Sequence, residues 1–335
     1  MHLHTLSSLV LLSSLTPFSS AISIPQPRSN GLPLSSHVVH QFSNTTWVEN
    51  IRVRSTGQLL LTSATAPDLY YLDPASPSRA SLIHEFTGNS GLLGITEVAP
   101  DHFYVLASNL TLVPPNPGLK TNSIYSIDLS SYHASSNTGA VIAKVANVPN
   151  IQFGNGMDTL DASQNLIVIA DSVLGAAWML NVETGDYSTL LEEPEMSPPN
   201  SSTFSLGING IRVSAKDSEE VYVYFDNTAK SLFCRVLVSL STLSKTGPVE
   251  ILANFTAQGL TTDDFALDEE QGVAYLACQQ NAILRIPLGG GQAINVTVVK
   301  EPTSVQMARD DGCNGTAYVT TEDGNIVAVD TESWR

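Results

Sequence analysis

The chain has 335 residues and is strongly acidic, with 15 Lys and Arg against 32 Asp and Glu and a formal net charge of −17. So few basic residues argue against nucleic acid as a partner, because proteins bind nucleic acid largely by neutralising phosphates with Lys and Arg. Beyond the N-terminal region no run of about 18 apolar residues occurs, so we predict no insertion into a membrane. The sequence does not indicate an oligomeric state.

The N-terminal residues have the pattern of a signal peptide. An apolar run at residues 6–15 is followed by small residues up to Ala21, and this run is too short to span a bilayer. We therefore predict a signal peptide at residues 1–21, a flexible segment at 22–36 and a single domain at 37–335.

Glycosylation signals agree with export of the chain. Six Asn-X-Ser/Thr sequons occur, at Asn44, Asn109, Asn200, Asn254, Asn295 and Asn314. Such sequons mark surface segments of secreted proteins. We predict an N-glycosylated protein that is secreted or located in the lumen of the secretory pathway.

Recurring phrases divide the rest of the chain into six units. In chain order, a strand is predicted at residues 37–42, before the first unit. The phrases then predict first strands at residues 49–53, 94–98, 155–158, 209–213, 263–267 and 302–306. A turn and a second strand follow each phrase, at residues 59–62, 102–107, 166–171, 221–225, 274–278 and 317–321. Each unit is therefore a β-meander.

The length of these units predicts the fold. Six β-meanders of roughly 40 to 60 residues match propeller blades, in which each sheet covers the apolar face of its neighbour. We predict an all-β chain that forms a six-bladed β-propeller. The last unit has only three strands, so residues 37–42 are expected to supply its outer strand and close the ring, which removes an open sheet edge.

Polar side chains are expected to meet at one mouth of the central channel, because the first strand of every propeller blade lines that channel. They are Glu49, Thr96, Asn155, Asn209, Asp263 and Ser304. A ring of oxygen ligands suits a hard divalent cation such as Ca²⁺ or Mg²⁺. Alternatively, Asn and Asp at these positions only stabilise a tight turn, although turn chemistry does not explain Glu49.

The same mouth is predicted to have an apolar side. Trp47 lies two residues before Glu49, and Met157 and Phe265 lie two residues after the polar positions of their own phrases. Because residues i and i+2 of a strand share a face, these side chains are expected to line a pocket for a bulky organic ligand. The alternative is that Met157 and Phe265 plug the channel.

Other reactive side chains give little support to other kinds of site. All seven His residues lie at or before His133, outside the recurring phrases, so a Ser-His-Asp site has no obvious base and zinc is not expected. The three cysteines, Cys234, Cys278 and Cys313, permit one disulfide and one free thiol, or buried free thiols. The sequence does not choose between these arrangements.

Four segments carry a resemblance to known proteins: WVENIRVR at residues 47–54, GNGMD at 154–158, GINGIR at 207–212 and TDDFALD at 262–268. From about Gln41 to Asp330 the chain resembles the regucalcin/gluconolactonase-like superfamily of six-bladed propellers, which includes strictosidine-synthase-like proteins. Within it, the four segments, the signal peptide and the sequons resemble a fungal exported subgroup that includes the hetero-Diels-Alderases of tropolonic sesquiterpene biosynthesis.

The resemblance implies a reaction and its site. Those hetero-Diels-Alderases join a tropolone-derived o-quinone methide to a humulene-type terpene in an inverse-electron-demand (4+2) cycloaddition, which implies terpenoid and tropolone substrates and no required cofactor. The residues expected to act in catalysis are Asn155, Asn209, Asp263 and Glu49. The residues expected to bind substrate are Trp47, Thr96, Met157, Phe265 and Ser304.

Two alternative functions stay open. The superfamily lactonases hold a divalent metal with residues that correspond to Glu49, Asn209 and Asp263, which implies Ca²⁺- or Mg²⁺-dependent lactone or ester hydrolysis. Here Asn50 and Asp264 follow Glu49 and Asp263, where the family has glycine. The second alternative is a propeller that binds a ligand without catalysis.

Overall fold

The computed structural model describes residues 33–43, 45–112, 115–200, 205–309 and 315–332. These residues form 27 β-strands, labelled β1 to β27 in chain order, and two short 3₁₀ helices at Ala162–Gln164 and Thr256–Gln258. In this part of the chain no helix is long and apolar enough to cross a membrane. The predicted signal peptide and most of the segment predicted as flexible lie outside the described residues.

The strands form six antiparallel sheets, or blades, and the first strand of each blade packs against the first strands of the neighbouring blades. β1 (Ser36–Gln41) belongs to the last blade. Blade 1 contains β2 (Val48–Val53), β3 (Leu59–Ser63), β4 (Asp68–Leu72) and β5 (Ser81–Glu85). Blade 2 contains β6 (Gly91–Ala99), β7 (His102–Ser108), β10 (Ser123–Asp128) and β11 (Val141–Asn147), with a small hairpin of β8 (Thr111–Leu112) and β9 (Pro115–Asn116) between β7 and β10.

The other blades follow the same plan. Blade 3 contains β12 (Gly154–Asp161), β13 (Leu166–Asp171), β14 (Ala176–Asn181) and β15 (Tyr187–Glu192). Blade 4 contains β16 (Ile208–Ala215), β17 (Glu220–Asn227), β18 (Leu232–Ser239), β19 (Ser244–Lys245) and β20 (Glu250–Asn254). Blade 5 contains β21 (Thr262–Asp268), β22 (Val273–Cys278), β23 (Ala282–Pro287) and β24 (Ile294–Thr297). Blade 6 contains β25 (Pro302–Met307), β26 (Thr316–Thr321), β27 (Asn325–Asp330) and β1.

The N-terminal strand closes the ring, as the sequence predicted. β1 pairs antiparallel with β27 and is the outer strand of blade 6. Just before it, the Ser35 carbonyl accepts a hydrogen bond of 2.9 Å from the Asp330 amide, and the Leu34 amide donates to the Val296 carbonyl at 2.7 Å. The segment therefore connects blade 6 to blade 5 as well as covering a sheet edge.

Six clusters of buried apolar side chains occupy the six interfaces between neighbouring blades. For example, Leu60 of blade 1 and Leu92 of blade 2 belong to one cluster, and Val48 of blade 1 and Ile326 of blade 6 belong to another. Burial of apolar surface is the dominant favourable contribution to folding. The predicted six-bladed propeller is therefore confirmed, with its core distributed around the channel.

All six innermost strands have a register shift near their start. In blade 3, the shift leaves Asn155 and Gly156 together opposite the single residue Ala170. A bulge of this kind interrupts the alternation of side chains along a strand. Residues before and after the bulge therefore do not keep the simple i, i+2 relation that the sequence suggested.

The described cysteines are buried free thiols. Cys234 lies on β18 and Cys278 on β22, and neither forms a disulfide. Burial raises the pKa of Cys234 to about 12 and also raises the pKa of Cys278, so both thiols are neutral at physiological pH. The alternative of buried free thiols therefore holds for Cys234 and Cys278. Cys313 lies outside the described residues.

Of the predicted glycosylation sites, Asn109, Asn200 and Asn254 are exposed and Asn295 is half-buried. Asn44 and Asn314 lie outside the described residues. N-glycosylation requires that the acceptor Asn side chain lies at the surface, and three of these side chains do. N-glycosylation of the chain stays a prediction.

Candidate active site

Four of the polar residues predicted at the channel mouth lie around one pocket. Glu49, Asn155, Asn209 and Asp263 each occupy the first bulged position of their strand and line this pocket together with Gln279. Their exposed fractions are 8, 2, 4 and 4%. The propeller thus brings together side chains that are up to 214 residues apart, although their roles stay predictions.

Thr96 does not lie in this ring. The pairing of β6 with β7 gives Leu93 the position in blade 2 that Glu49 has in blade 1, and Leu93 lines the pocket. Thr96 lies three residues further along β6, where its hydroxyl donates to Asp158 Oδ1 at 3.3 Å. The predicted placement of Thr96 at the mouth is wrong, because blade 2 has the apolar Leu93 at the mouth position of the phrase, so that the polar residue chosen there lies three residues too far along the strand.

Ser304 is also displaced from the mouth. It occupies the second bulged position of β25 and is fully buried. Its hydroxyl donates to Asp264 Oδ2 at 2.6 Å, and the same carboxylate oxygen accepts from Arg212 Nη2 at 2.6 Å. Ser304 is therefore part of a buried network within the channel, and its predicted place beside Glu49 is wrong.

Met157 and Phe265 lie between blades, and neither lines the pocket. Met157 belongs to the apolar cluster between blades 2 and 3, and Phe265 to the cluster between blades 4 and 5, where it meets Phe233 edge to face at 4.9 Å. The bulge explains this correction, because it turns the residue two positions after the polar one away from the channel mouth.

The pocket has an apolar half formed mainly by other residues. Trp47 lines it as predicted, together with Leu93, Leu110, Leu112, Phe153 and Leu206. Blade 2 and the hairpin that follows its second strand contribute only apolar side chains to the pocket, and blade 5 contributes only Asp263 and Gln279. The mouth therefore has an apolar side around blade 2 and a polar side around the opposite blade 5, with Glu49 and Asn155 on blades 1 and 3 between them.

Hydrogen bonds fix the orientation of the polar side chains. The Trp47 indole donates to Glu49 Oε2 at 2.5 Å, and Asn209 Nδ2 donates to Asp263 Oδ1 at 2.9 Å. Asn155 Nδ2 donates to the Ser172 hydroxyl at 3.2 Å, while Asn155 Oδ1 is buried without a partner. A buried acceptor left without a hydrogen bond is unfavourable, so this oxygen is available to a ligand.

Burial favours the neutral form of the carboxyl groups at the mouth. Burial raises the pKa of Glu49 to about 7; the hydrogen bond from Trp47 opposes this rise and the nearby Asp264 carboxylate adds to it. Burial also raises the pKa of Asp263 well above its usual range, and the negative charges of Glu49 and Asp226 contribute. Neutral carboxyl groups can donate hydrogen bonds, which carboxylates cannot do.

A further ring of residues was missed in the sequence. Each second strand ends at the mouth, and the residues that follow these strands include Ser172, Thr228, Gln279 and Glu322. Ser172 accepts from Asn155, and Thr228 accepts from Asn209 at 2.9 Å. The signal was present in the repeat, because these residues follow the recognisable second strand of each unit.

Ion pairs fill the channel below the mouth. Arg212 pairs with Asp264, with side-chain exposures of 6 and 2%, and Arg52 pairs with Asp158 at 3.1 Å. Removing one partner would leave a buried charge unpaired, which is strongly destabilising. Asp264, at the position after Asp263, is thus accommodated by Arg212.

The enclosed space at the mouth is small. It measures about 60 Å³, below the roughly 300–1,000 Å³ of most small-molecule sites. Larger clefts of about 460 to 510 Å³ occur elsewhere on the surface, but none of them includes a residue of an innermost strand. The mouth is distinguished from those clefts by its buried carboxyl groups and the unpartnered Asn155 oxygen.

The donor chemistry of the mouth suits a hard cation. Glu49 and Asp263 offer carboxylate oxygens, and Asn155 and Asn209 offer carboxamide oxygens, which are the ligand types that Ca²⁺ and Mg²⁺ prefer. Among the described residues, no three His, Cys, Asp or Glu side chains form a group that could hold a metal. A cation here would therefore need a carboxamide oxygen as well as the two carboxylates.

Comparison of the sequence with known proteins finds relatives that share one designation. No protein-family model matches the chain. A protein of Phoma sp. named "Putative hetero-Diels-Alderase" is 26% identical over 97% of this chain and 96% of its own. A second with the same designation, from Sarocladium schorii, is 23% identical over 86% of this chain and 78% of its own.

Among solved structures, regucalcin from Agrobacterium tumefaciens strain C58, a calcium-binding protein, superposes with a TM-score of 0.60. It is 17% identical and the match covers 89% of this chain and 94% of regucalcin, so this likeness concerns the fold. The chain is therefore a six-bladed propeller with a fold like that of regucalcin, and it is similar over most of its length to two proteins named "Putative hetero-Diels-Alderase".

Proposed function

We propose that the chain is an enzyme that catalyses an intermolecular hetero-Diels–Alder reaction at the channel mouth. The proposed substrates are a tropolone-derived o-quinone methide as heterodiene and a humulene-type terpene as alkene. Their inverse-electron-demand (4+2) addition forms one carbon–carbon and one carbon–oxygen bond and gives a dihydropyran. No proton or electron is consumed overall, so the reaction requires no cofactor.

The division of the mouth into two halves is the observation that carries this proposal. Trp47 and its apolar neighbours line one side, and Asp263 and Asn209 lie on the other. A hydrocarbon terpene binds best to the apolar side and an oxygen-bearing heterodiene to the polar side. Similarity to two proteins named as hetero-Diels-Alderases supports the same class of reaction.

Neutral carboxyl groups give the polar half a means of catalysis. Burial raises the pKa of both Asp263, on the polar side, and Glu49, next to it at the mouth, so a protonated carboxyl can donate a hydrogen bond to the heterodiene carbonyl oxygen. That bond withdraws electron density from the heterodiene and makes it more reactive towards an electron-rich alkene. Donors aimed at an oxygen on which negative charge develops are an effective form of transition-state stabilisation.

Positioning of the two substrates in the site provides the other contribution to catalysis. Alignment of two reactants in a site can lower a barrier by about 7 to 11 kcal/mol relative to a bimolecular encounter. The apolar wall also excludes water, which would otherwise add to the quinone methide. Because the enclosed space is only about 60 Å³, the substrates must extend outward over the mouth or displace the leucine side chains that narrow it.

Metal-dependent lactone hydrolysis is the second candidate. Its supporting observation is that Glu49, Asn209 and Asp263 all line the same pocket and have the oxygen ligands such a site needs. In that reaction a hard cation supplies Lewis-acid polarisation of the lactone carbonyl. Glu49 and Asp263 would then have to be ionised and directed towards the cation.

Two substitutions separate the candidates when their effects are measured side by side. We expect Trp47→Ala to reduce the cycloaddition rate at least tenfold, because it removes most of the aromatic surface from the apolar half. We expect Glu49→Gln to retain most of this rate, because the carboxamide keeps a hydrogen-bond donor. The measurement is product formation from a generated tropolonic quinone methide and humulene, with product stereochemistry compared to the uncatalysed reaction.

Lactone hydrolysis by the same variants provides the control. A lactonase that needs an ionised metal ligand should lose its activity in Glu49→Gln, and chelator should abolish activity in the unchanged protein. Chelator-sensitive hydrolysis without any acceleration of the cycloaddition would reject the main proposal. Absence of both activities in the folded protein would support a binding propeller.

A further inference from the structure

The residues that follow the second strands lie at equivalent places around the mouth. In five blades, the backbone amide of the residue that follows the second strand donates a hydrogen bond of 2.9 to 3.0 Å to the carbonyl of a residue just before the innermost strand. The donor and acceptor pairs are Ala64 and Trp47, Ser172 and Phe153, Thr228 and Gly207, Gln279 and Thr261, and Glu322 and Glu301. The shared hydrogen bond shows that the five donor residues are structurally equivalent.

Four of these five positions contact the pocket or its polar ring. Ala64 and Gln279 line the pocket, and Ser172 and Thr228 accept hydrogen bonds from Asn155 and Asn209. The fifth is Glu322 in blade 6, which lies between blade 5, with Asp263, and blade 1, with Glu49. Its charge contributes to the raised pKa of Asp263, as expected for a carboxyl at the same mouth.

The Glu322 carboxyl has unused hydrogen-bonding capacity. The nearby Lys300 ammonium pairs with Glu301 at 3.2 Å and with Asp323 at 3.0 Å. Within the described ranges, the side chain of Glu322 forms neither a hydrogen bond nor an ion pair, although it is half-buried. A partly desolvated carboxyl without a protein partner is a good candidate for contact with a ligand.

We propose that Glu322 binds the oxygen-bearing substrate at the rim of the polar half, as a third carboxyl beside Glu49 and Asp263. This inference rests on the proposed cycloaddition. The substrate it selects is uncharged and carries a hydroxyl group, because neighbouring carboxyl groups repel an anion and the unpartnered Glu322 oxygens can accept a hydrogen bond from a hydroxyl. Contact with Glu322 places the oxygen-bearing substrate over blades 5, 6 and 1, opposite Leu110 and Phe153.

Binding of tropolone, a stable molecule with adjacent carbonyl and hydroxyl groups, tests this inference. At mildly acidic pH, isothermal titration calorimetry of the intact protein should give a Kd that rises about tenfold in Glu322→Ala, equivalent to about 1.4 kcal/mol. Glu322→Gln should retain most of the affinity, since its amide both donates and accepts hydrogen bonds. The matched control Asp323→Asn changes a neighbour whose carboxylate bonds Thr321, Asn325 and Lys300, and should bind tropolone normally.

The melting temperatures of the same variants exclude an indirect effect. Glu322→Ala should not lower the melting temperature, because the carboxyl holds no partner that would be lost. Unchanged tropolone affinity in Glu322→Ala would overturn the inference while leaving the cycloaddition proposal intact. If the unchanged protein neither binds tropolone nor accelerates the cycloaddition, the proposed function fails and this inference fails with it.

Discussion

Three carboxyl groups lie near one another at the mouth, where Glu49 and Asp263 are buried and Glu322 is half-buried. Burial raises the pKa of Glu49 to about 7 and that of Glu322 to about 8, and the negative charge of Glu49 contributes to the latter. At neutral pH such groups exchange between a neutral donor and an anionic acceptor. The chemistry of the mouth is therefore set by its surroundings as much as by the residue types.

These shifts predict how stability changes with pH. The folded protein holds protons on Glu49 and Glu322 more tightly than the unfolded chain, in which both groups have a pKa near 4.5. Stability from these groups is present at about pH 4.5 and is lost as the pH rises to about 8. We expect the melting temperature to fall across this interval, as measured by circular dichroism.

Variants identify the groups responsible for that fall. Glu49→Gln should flatten the pH dependence because the amide does not ionise. Asp217→Asn, which alters an exposed acid with a lowered pKa, should leave the slope between pH 4.5 and 8 unchanged. A melting temperature that rises with pH through this interval in the unchanged protein would contradict the assignment.

The bulge in each innermost strand determines which side chains reach the mouth. At its second position, blades 2, 3 and 4 have Gly94, Gly156 and Gly210, whereas blades 1 and 5 have Asn50 and Asp264. A Cβ atom on Gly156 would lie 2.7 Å from the Asn209 carbonyl oxygen of the next blade. These glycines are needed because adjacent innermost strands approach closely.

We expect Gly156→Ala to destabilise the fold by about 1 to 3 kcal/mol, the typical cost of inserting atoms where packing leaves no room. The measurement is the free energy of unfolding in urea. The matched control is Gly289→Ala, since a Cβ atom at Gly289 would have no neighbour within 4 Å. Equal stability of the two variants would show that the interblade contact at Gly156 is not tight.

At the scale of the whole molecule, the ring depends on contacts between the two ends of the described chain. β1 provides the outer strand of blade 6, and Leu34, 2% exposed, packs in the cluster between blades 5 and 6. Because each blade covers the apolar face of its neighbours, the six interfaces support one another. The geometry of the mouth therefore depends on closure far from it.

Removal of the closing strand should weaken the entire ring. A chain that begins at residue 43 lacks β1 and Leu34, exposes the edge of β27 and should have a lower unfolding midpoint and a greater tendency to associate. A chain that begins at residue 33 keeps both features and is the matched control. Size-exclusion chromatography and thermal unfolding compare them, and equal behaviour would mean that the ring does not need this strand.

The number of blades, the closing strand and four residues of the mouth could be predicted from the pattern of the sequence. Repeats of β-strand pattern specify blades because each strand has local propensity and alternation, and Glu49, Asn155, Asn209 and Asp263 stand at strong copies of the phrase. Trp47 was also predictable from its distance to Glu49, although the hydrogen bond between them was not.

The register within the weak copies of the phrase and the environment of the carboxyl groups depend on packing between the blades, and they could not be predicted. Thr96 and Ser304 do not reach the mouth because Leu93 and Thr303 occupy the position that Glu49 has in blade 1. The bulge turns Met157 and Phe265 away from the mouth, since alternation counted along the sequence does not reveal an extra residue in one strand. The position of Glu322 near the mouth results from the packing of blade 6 between blades 5 and 1. The raised pKa values of Glu49, Asp263 and Glu322 result from burial and from charges on distant segments. Such effects depend on distances through space, which a linear sequence does not specify.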